Sequence, residues 1–204
     1  RLAQLAFDEQ ADVRLRALEA LLKLGAPPED LVRICGKVLL SDDDRRPRKV
    51  ATRALAKMGA PAVPALAEAL HARDPSARRQ AAMVLGQVGQ AAAPAIPALI
   101  EALRDEDQDV CFQSMRILGD LGPLAKDAVP VIAELLLRDE APAARMRAAS
   151  ALGLIGPEAR AALPALEKAL GETSPVANHG AAGTIQRAID RITGKKEATP
   201  ESHD

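Results

Sequence analysis

Apolar and small residues return along this chain at steps of three and four, in short bursts that a glycine ends. Five glycines, Gly25, Gly59, Gly89, Gly122 and Gly156, close five such bursts at intervals of 34, 30, 33 and 34 residues. Eleven residues before them stand Arg14, Arg48, Arg78, Cys111 and Arg145. In between, Ala17, Leu18, Leu21 and Leu24, or Ala148, Ala149, Leu152 and Ile155, fall at plus three, four, seven and ten, which is one face of an amphipathic helix. Each burst predicts a helix of about three turns, closed by a glycine in a left-handed cap or tight turn.

A second apolar segment follows each of the later glycines: Ala62 to Leu70, Ala95 to Leu103, Ala128 to Leu136 and Ala161 to Leu170. Pro64, Pro97, Pro130 and Pro164 stand near their starts. Proline is tolerated in a first helical turn, where its missing N–H would have had no intrahelical acceptor. The next first helix is announced by an N-cap and proline, as in Asp74-Pro75 and Ser174-Pro175. The pattern predicts an all-α solenoid of about five helix pairs, over units of about 8–40, 42–70, 74–103, 105–136 and 139–170, with a capping helix over 175–192. Neither helix of a pair can bury its apolar face alone, so the units must stack.

Composition agrees with a helical reading. Ala and Leu dominate, whereas the aromatic residues that favour strands amount to Phe7 and Phe112, with no Trp and no Tyr. No sheet is expected, and the core must be built from many small aliphatic contacts. A formal net charge of −1 gives no global attraction to nucleic acid or anionic lipid. Cys35 and Cys111 have no companions at metal-ligand spacing and read as free thiols. No apolar run of membrane-spanning length is expected, and no targeting segment is read, which leaves the cytoplasm as the default compartment.

An Asp, then Val-Arg or its equivalent, Ala-Ala, Ala-Leu, Gly and a Val-Pro-Ala-Leu segment together resemble bacterial HEAT repeats of the phycobilisome-lyase HEAT-like type. The clearest copy is Asp139 to Leu170, and Asp74 to Leu103 is close to it. Residues 8 to about 192 carry the resemblance. It implies a right-handed, armadillo-like superhelix whose second helices line a concave side. This repeat serves scaffolds, regulators and a few enzymes alike.

The ends differ from the interior. Leu2, Leu5 and Asp8 repeat the spacing of Leu99, Ala102 and Asp105, so residues 1–7 read as the tail of a second helix. That reading expects the natural chain to extend upstream, or a shorter helix to cap the stack. Residues 193–204 hold almost nothing to bury and are expected to be a disordered tail.

No catalytic constellation is apparent. His71, His179 and His203 are far apart, no nucleophile stands beside a base, and no phosphate-binding glycine loop occurs. Three enzyme families are built on related repeats. The resemblance to deoxyhypusine hydroxylases would require His-Glu dipeptides, which the sequence lacks. Alkylpurine glycosylases would require aromatic residues along a basic groove, and phycobilin lyase subunits a tetrapyrrole site that nothing beyond the repeat suggests. No catalytic residue, metal or cofactor is assigned.

The repeated arginine reads as structural, reaching the acid-rich turns at Asp8, Asp42 to Asp44, Asp74, Asp107 and Asp139 as a ladder between units, broken at Cys111. Three surface features could bind a partner. Arg45, Lys49, Arg53 and Lys57 recur every four residues as a basic stripe, a candidate for anions. Met83, Phe112, Met146 and Leu154 stand at outer positions that other units fill with charge, forming a candidate contact patch. Glu68, Glu101 and Glu134, 33 residues apart, form a candidate acidic row suited to a basic segment. The reading is a non-catalytic protein–protein interaction scaffold that takes another protein or peptide. Its alternatives are a nucleic-acid or anion binder using residues 45–57, and an accessory domain of an enzyme whose catalytic part lies elsewhere.

Overall fold

Helices alternate with short turns throughout the computed structural model, which describes residues 1–138, 141–172 and 179–195. The first helices of the successive pairs are α2 (Ala11–Lys23), α4 (Arg45–Met58), α6 (Pro75–Val88), α8 (Gln108–Asp120) and α10 (Pro142–Ile155). Their partners are α3 (Pro28–Ser41), α5 (Val63–Ala69), α7 (Ile96–Ala102), α9 (Val129–Arg138) and α11 (Leu163–Glu172). A four-residue α1 (Leu2–Leu5) precedes them and α12 (His179–Thr193) follows. No strand occurs among the described residues. The tail expected over 193–204 falls mostly outside them, as do residues 175–178 of the expected capping helix.

Two compact units make up the chain, residues 1–114 and 115–204. In the first, α2 packs on α4 and α4 on α6, while α3 packs on α4 and α5. Leu18, Ile34, Leu39, Leu55, Leu66, Leu85 and Leu99 are fully buried there. In the second, α10 packs on α9 and α12, and α11 on the same two helices. Ile117, Ile132, Leu136, Leu152, Leu166 and Ile185 form its core. With each buried Leu or Ile contributing about 1.5–3 kcal/mol, aliphatic side chains dominate both cores, as the near-absence of aromatics requires.

The connections differ in a way the spacing does not disclose. Gly25 (φ 67°) ends α2 in a Schellman motif, its N–H donating to Leu22 O and that of Ala26 to Leu21 O at 3.1 Å. Gly59 (φ 63°, ψ −127°) instead takes a backbone conformation essentially closed to other residues and leads into a 3-10 turn, Ala60–Ala62. Longer 3-10 turns, Gly89–Ala95, Gly122–Ala128 and Gly156–Ala162, follow α6, α8 and α10.

Two expectations are corrected. Leu24, assigned to the apolar face of α2, is 71% exposed. The first connection has no 3-10 turn to lie over it, whereas Leu121 and Ile155 at the same repeat position are buried. An apolar run of membrane-spanning length also exists, since residues 80–100 carry no charge and a window within Pro75–Ala102 has a mean hydropathy of 1.4. The turn at Gly89 divides it into α6 and the seven-residue α7. Among the described residues no continuous α-helix exceeds the 15 residues of α12, below the roughly 20 that a bilayer requires.

Candidate functional site

Three of the repeated arginines, Arg14, Arg48 and Arg78, are consumed inside the fold. Arg14 on α2 grips Asp42, in the loop before α4, through Nε to Oδ2 at 2.7 Å and Nη2 to Oδ1 at 2.6 Å. Its Nη1 donates to the carbonyls of Asp8 and Glu9. Arg78 on α6 repeats this, holding Asp105 at 2.7 and 2.9 Å and donating to the carbonyls of Ala72 and Arg73. Each side chain thus ties its own helix start to the next pair by charge-assisted, bidentate bonding. Asp42 raises the pKa of Arg14 and Asp105 that of Arg78, in each case through the side-chain hydrogen bond first.

The acceptors are not all those expected. Asp42 and Asp105 take the ladder arginines, while Asp107 accepts Arg79 at 2.6 Å and Asp44 accepts Arg46 at 2.8 Å. Asp8 contributes its carbonyl to Arg14, its carboxylate capping the Gln10 N–H at 2.9 Å. Arg48 pairs with Asp74, but its buried Nε has no partner. At the position of the broken ladder, Cys111 Sγ donates to Leu103 O at 3.1 Å. Asp139 lies outside the described residues.

The basic stripe is different. Arg45, Lys49, Arg53 and Lys57 are all exposed on α4, and among the described residues none of them makes an ion pair or hydrogen bond. Successive members stand about 6 Å apart along the helix. Arg45, Lys49 and Arg53, with Arg46, form one wall of a groove of about 560 Å³ between α4 and α6. Met83 of α6, 43% exposed, lines the groove with them. Thr52 and Gln80 join α4 to α6 there, Thr52 Oγ1 lying 2.6 Å from Gln80 Oε1. Lys57 does not line it.

Sequence reasoning treated the stripe and Met83 as separate features, and the packing of α4 on α6 brings them together. It missed Thr52 and Gln80, whose only signal was a polar residue among the apolar positions of each helix. Phe112 is half-buried, and Met146 is half-buried with its methyl near Gly180, while Leu154 is 43% exposed on α10. Glu68, Glu101 and Glu134 are exposed, and Glu101 stands 3.8 Å from His71 Nδ1. Among the described residues no group of three His, Cys, Asp or Glu side chains could hold a metal ion.

A sequence profile of HEAT repeats matches residues 32–111 and 96–186. The chain belongs to the HEAT-repeat family. Solved structures agree on the fold of this HEAT-repeat protein. An engineered protein aligns over 95% of this chain and 96% of its own at 22% identity and a TM-score of 0.63. The CpcE–CpcF complex of phycocyanin lyase from Nostoc matches over 78% of this chain and 97% of its own, at 19% identity and 0.58. A computationally designed armadillo repeat protein for modular peptide recognition matches over 94% and 90%, also at 19% and 0.58. Among curated proteins, none matches the sequence significantly. These likenesses make the HEAT-repeat chain an all-α solenoid of the HEAT and armadillo type.

Proposed function

We propose that this chain is a non-catalytic protein-binding module, and that its docking surface lies where α4 and α6 meet. The fold supplies repeated helix faces rather than a deep pocket, a form suited to contact over a broad area. The observation that carries the reading is the groove of Arg45, Lys49, Arg53 and Met83, where unpaired cations stand beside an exposed apolar side chain. The arginines of the ladder are occupied by Asp42, Asp74 and Asp105, whereas these cations are exposed and make no ion pair among the described residues. A protein partner of ordinary size would cover about 800 Å² on this side. That area extends past the groove onto the neighbouring helix faces.

The second reading, a nucleic-acid binder, draws on the same unpaired stripe. Affinity capture from a source lysate at low and high salt separates the two, run with the wild-type chain and with the double variant Lys49→Glu, Arg53→Glu. A discrete protein retained by the wild type at high salt and lost by the variant is the expected result. Nucleic acid captured at low salt and released at high salt would replace the reading with the second one.

A further inference from the structure

The groove has two unlike walls. On the α4 side stand cations at a spacing of about 6 Å, set by four residues at about 1.5 Å rise. On the α6 side stands Met83, with the half-buried Gln80 between. Like charges at this spacing repel one another along a helix, and among the described residues no acid pairs with Arg45, Lys49 or Arg53. An occupant that does so must carry negative charge at a matching interval.

An extended peptide meets that requirement. Alternate side chains of a strand point to opposite faces, and residues i and i+2 lie about 6.7 Å apart. Acids at every second position would therefore fall opposite Arg45, Lys49 and Arg53 in turn. The intervening side chains would point to the other wall, where Met83 offers a flexible apolar contact that accepts varied partners. Among the described residues Gln80 Nε2 makes only a long 3.4 Å contact with Ser76 Oγ, so its carboxamide has a donor to give to a peptide carbonyl.

We infer that the α4–α6 groove binds an extended acidic segment of a partner protein, in which acids alternate with residues that include an apolar one. This rests on the protein-binding reading above and names the chemistry of its partner. Single-stranded nucleic acid fits less well, because such binders stack bases on aromatic side chains. The two phenylalanines of the chain, Phe7 and Phe112, do not line the groove.

The test uses fluorescein-labelled synthetic octapeptides and the full chain, with binding read by fluorescence anisotropy at low salt. One peptide alternates Glu with Ser and a single Leu, a second has the same composition with its acids contiguous, and an oligothymidylate carries a similar charge. The alternating peptide is expected to bind tightest. Lys49→Glu should weaken it about tenfold or more through like-charge repulsion. Met83→Ser should weaken it several-fold, without reducing the salt dependence. Both side chains are exposed, so circular dichroism should show unchanged helicity in each variant.

Equal affinity for the two peptides, indifference to Met83→Ser, or no peptide binding at all would overturn the inference. None of these results touches the capture of a discrete protein by the wild-type chain, so the broader reading fails or stands separately. Preference for the oligothymidylate, together with nucleic acid in the capture experiment, would overturn both.

Discussion

Asp74 gives one carboxylate oxygen to the guanidinium of Arg48 and the other to the backbone N–H of Ser76, 2.7 Å away at the start of α6. Before α4 and α8 these duties are divided. Asp42 holds Arg14 while Asp44 caps α4 through the Arg46 N–H at 2.8 Å. Asp105 likewise holds Arg78 while the Asp107 carboxylate accepts from the Asp109 N–H at 3.0 Å. The unit between Gly59 and Gly89 is the shortest at 30 residues, and two positions before Asp74 it carries Ala72, where the turns before α4 and α8 carry Asp42 and Asp105. Asp74 stands alone before Pro75, so it does both jobs.

Replacing Asp74 is therefore expected to cost more than replacing either aspartate of a divided pair. Asp74→Ala removes the cap, worth about 1 kcal/mol. It also strands Arg48, which is 3% exposed, without the acid it pairs with. A total loss of about 2–4 kcal/mol follows, discounted because the Asp74 side chain is 43% exposed. Asp44→Ala should cost clearly less, because Asp42 still holds Arg14. Urea midpoints of the two variants against wild type check this; equal losses would mean that the Arg48 pair contributes nothing.

How far the sequence could be read follows from the same residues. The arginine spacing disclosed the helices and the ladder, because one side chain per repeat must meet one acid per repeat. Which acid it meets depended on turn geometry, and Asp105 rather than Asp107 takes Arg78 because the loop sets Asp107 two residues on, against Arg79. Leu24 fitted the helical period, yet burial is decided by what covers a position, and only the connecting turn determines that. The groove was half legible. Stripe and Met83 were visible, but that they face one another depends on how α4 packs against α6.

Asp44 should make stability depend on acid. Hydrogen bonding from the Arg46 side chain, then from its backbone N–H, holds this carboxyl at about 2 against an ordinary 3.8. A carboxyl whose folded pKa is depressed stabilises fully above its unfolded value, and the contribution disappears as pH falls through the folded one. The window thus runs from about 4 down to about 2. Urea midpoints measured from pH 7 to pH 2 should show wild type and Asp44→Asn separated at neutral pH and converging across that window. A constant separation at every pH would show that Asp44 acts without its charge.

The two thiols should react in a fixed order. Cys35 is fully buried on α3, and desolvation pushes its thiol up to about 11, so almost no thiolate forms at pH 8. Cys111 is half-buried at the start of α8. With an aromatic disulfide reagent in native buffer, Cys111 is expected to react first and Cys35 only as denaturant opens the core. Mapping the modified peptides gives the order. Reaction of Cys35 at the rate of Cys111 would mean that α3 opens from α4 and α5 far more readily than its burial implies.

In the second unit, α10 and α12 approach closely enough that one hydrogen atom in place of a methyl group matters. A Cβ built on Gly153 would lie 2.9 Å from the Ala188 Cα and 3.1 Å from its Cβ, and a backbone atom cannot step aside as a flexible side chain would. Gly153→Ala must then push the two helices apart, at a cost of about 1–3 kcal/mol. Gly171, on α11, supplies the contrast, since nothing among the described residues lies within 4 Å of the same added carbon. Alanine there meets no clash and loses less backbone freedom on folding, so Gly171→Ala should raise stability by about 0.5 kcal/mol. Thermal unfolding of the two variants gives opposite shifts if close helix contact governs this unit. A neutral Gly153→Ala would instead mean that α12 is held loosely enough to ride outward on α10, and that Ile185 and Ala188 contribute little to the core they enter.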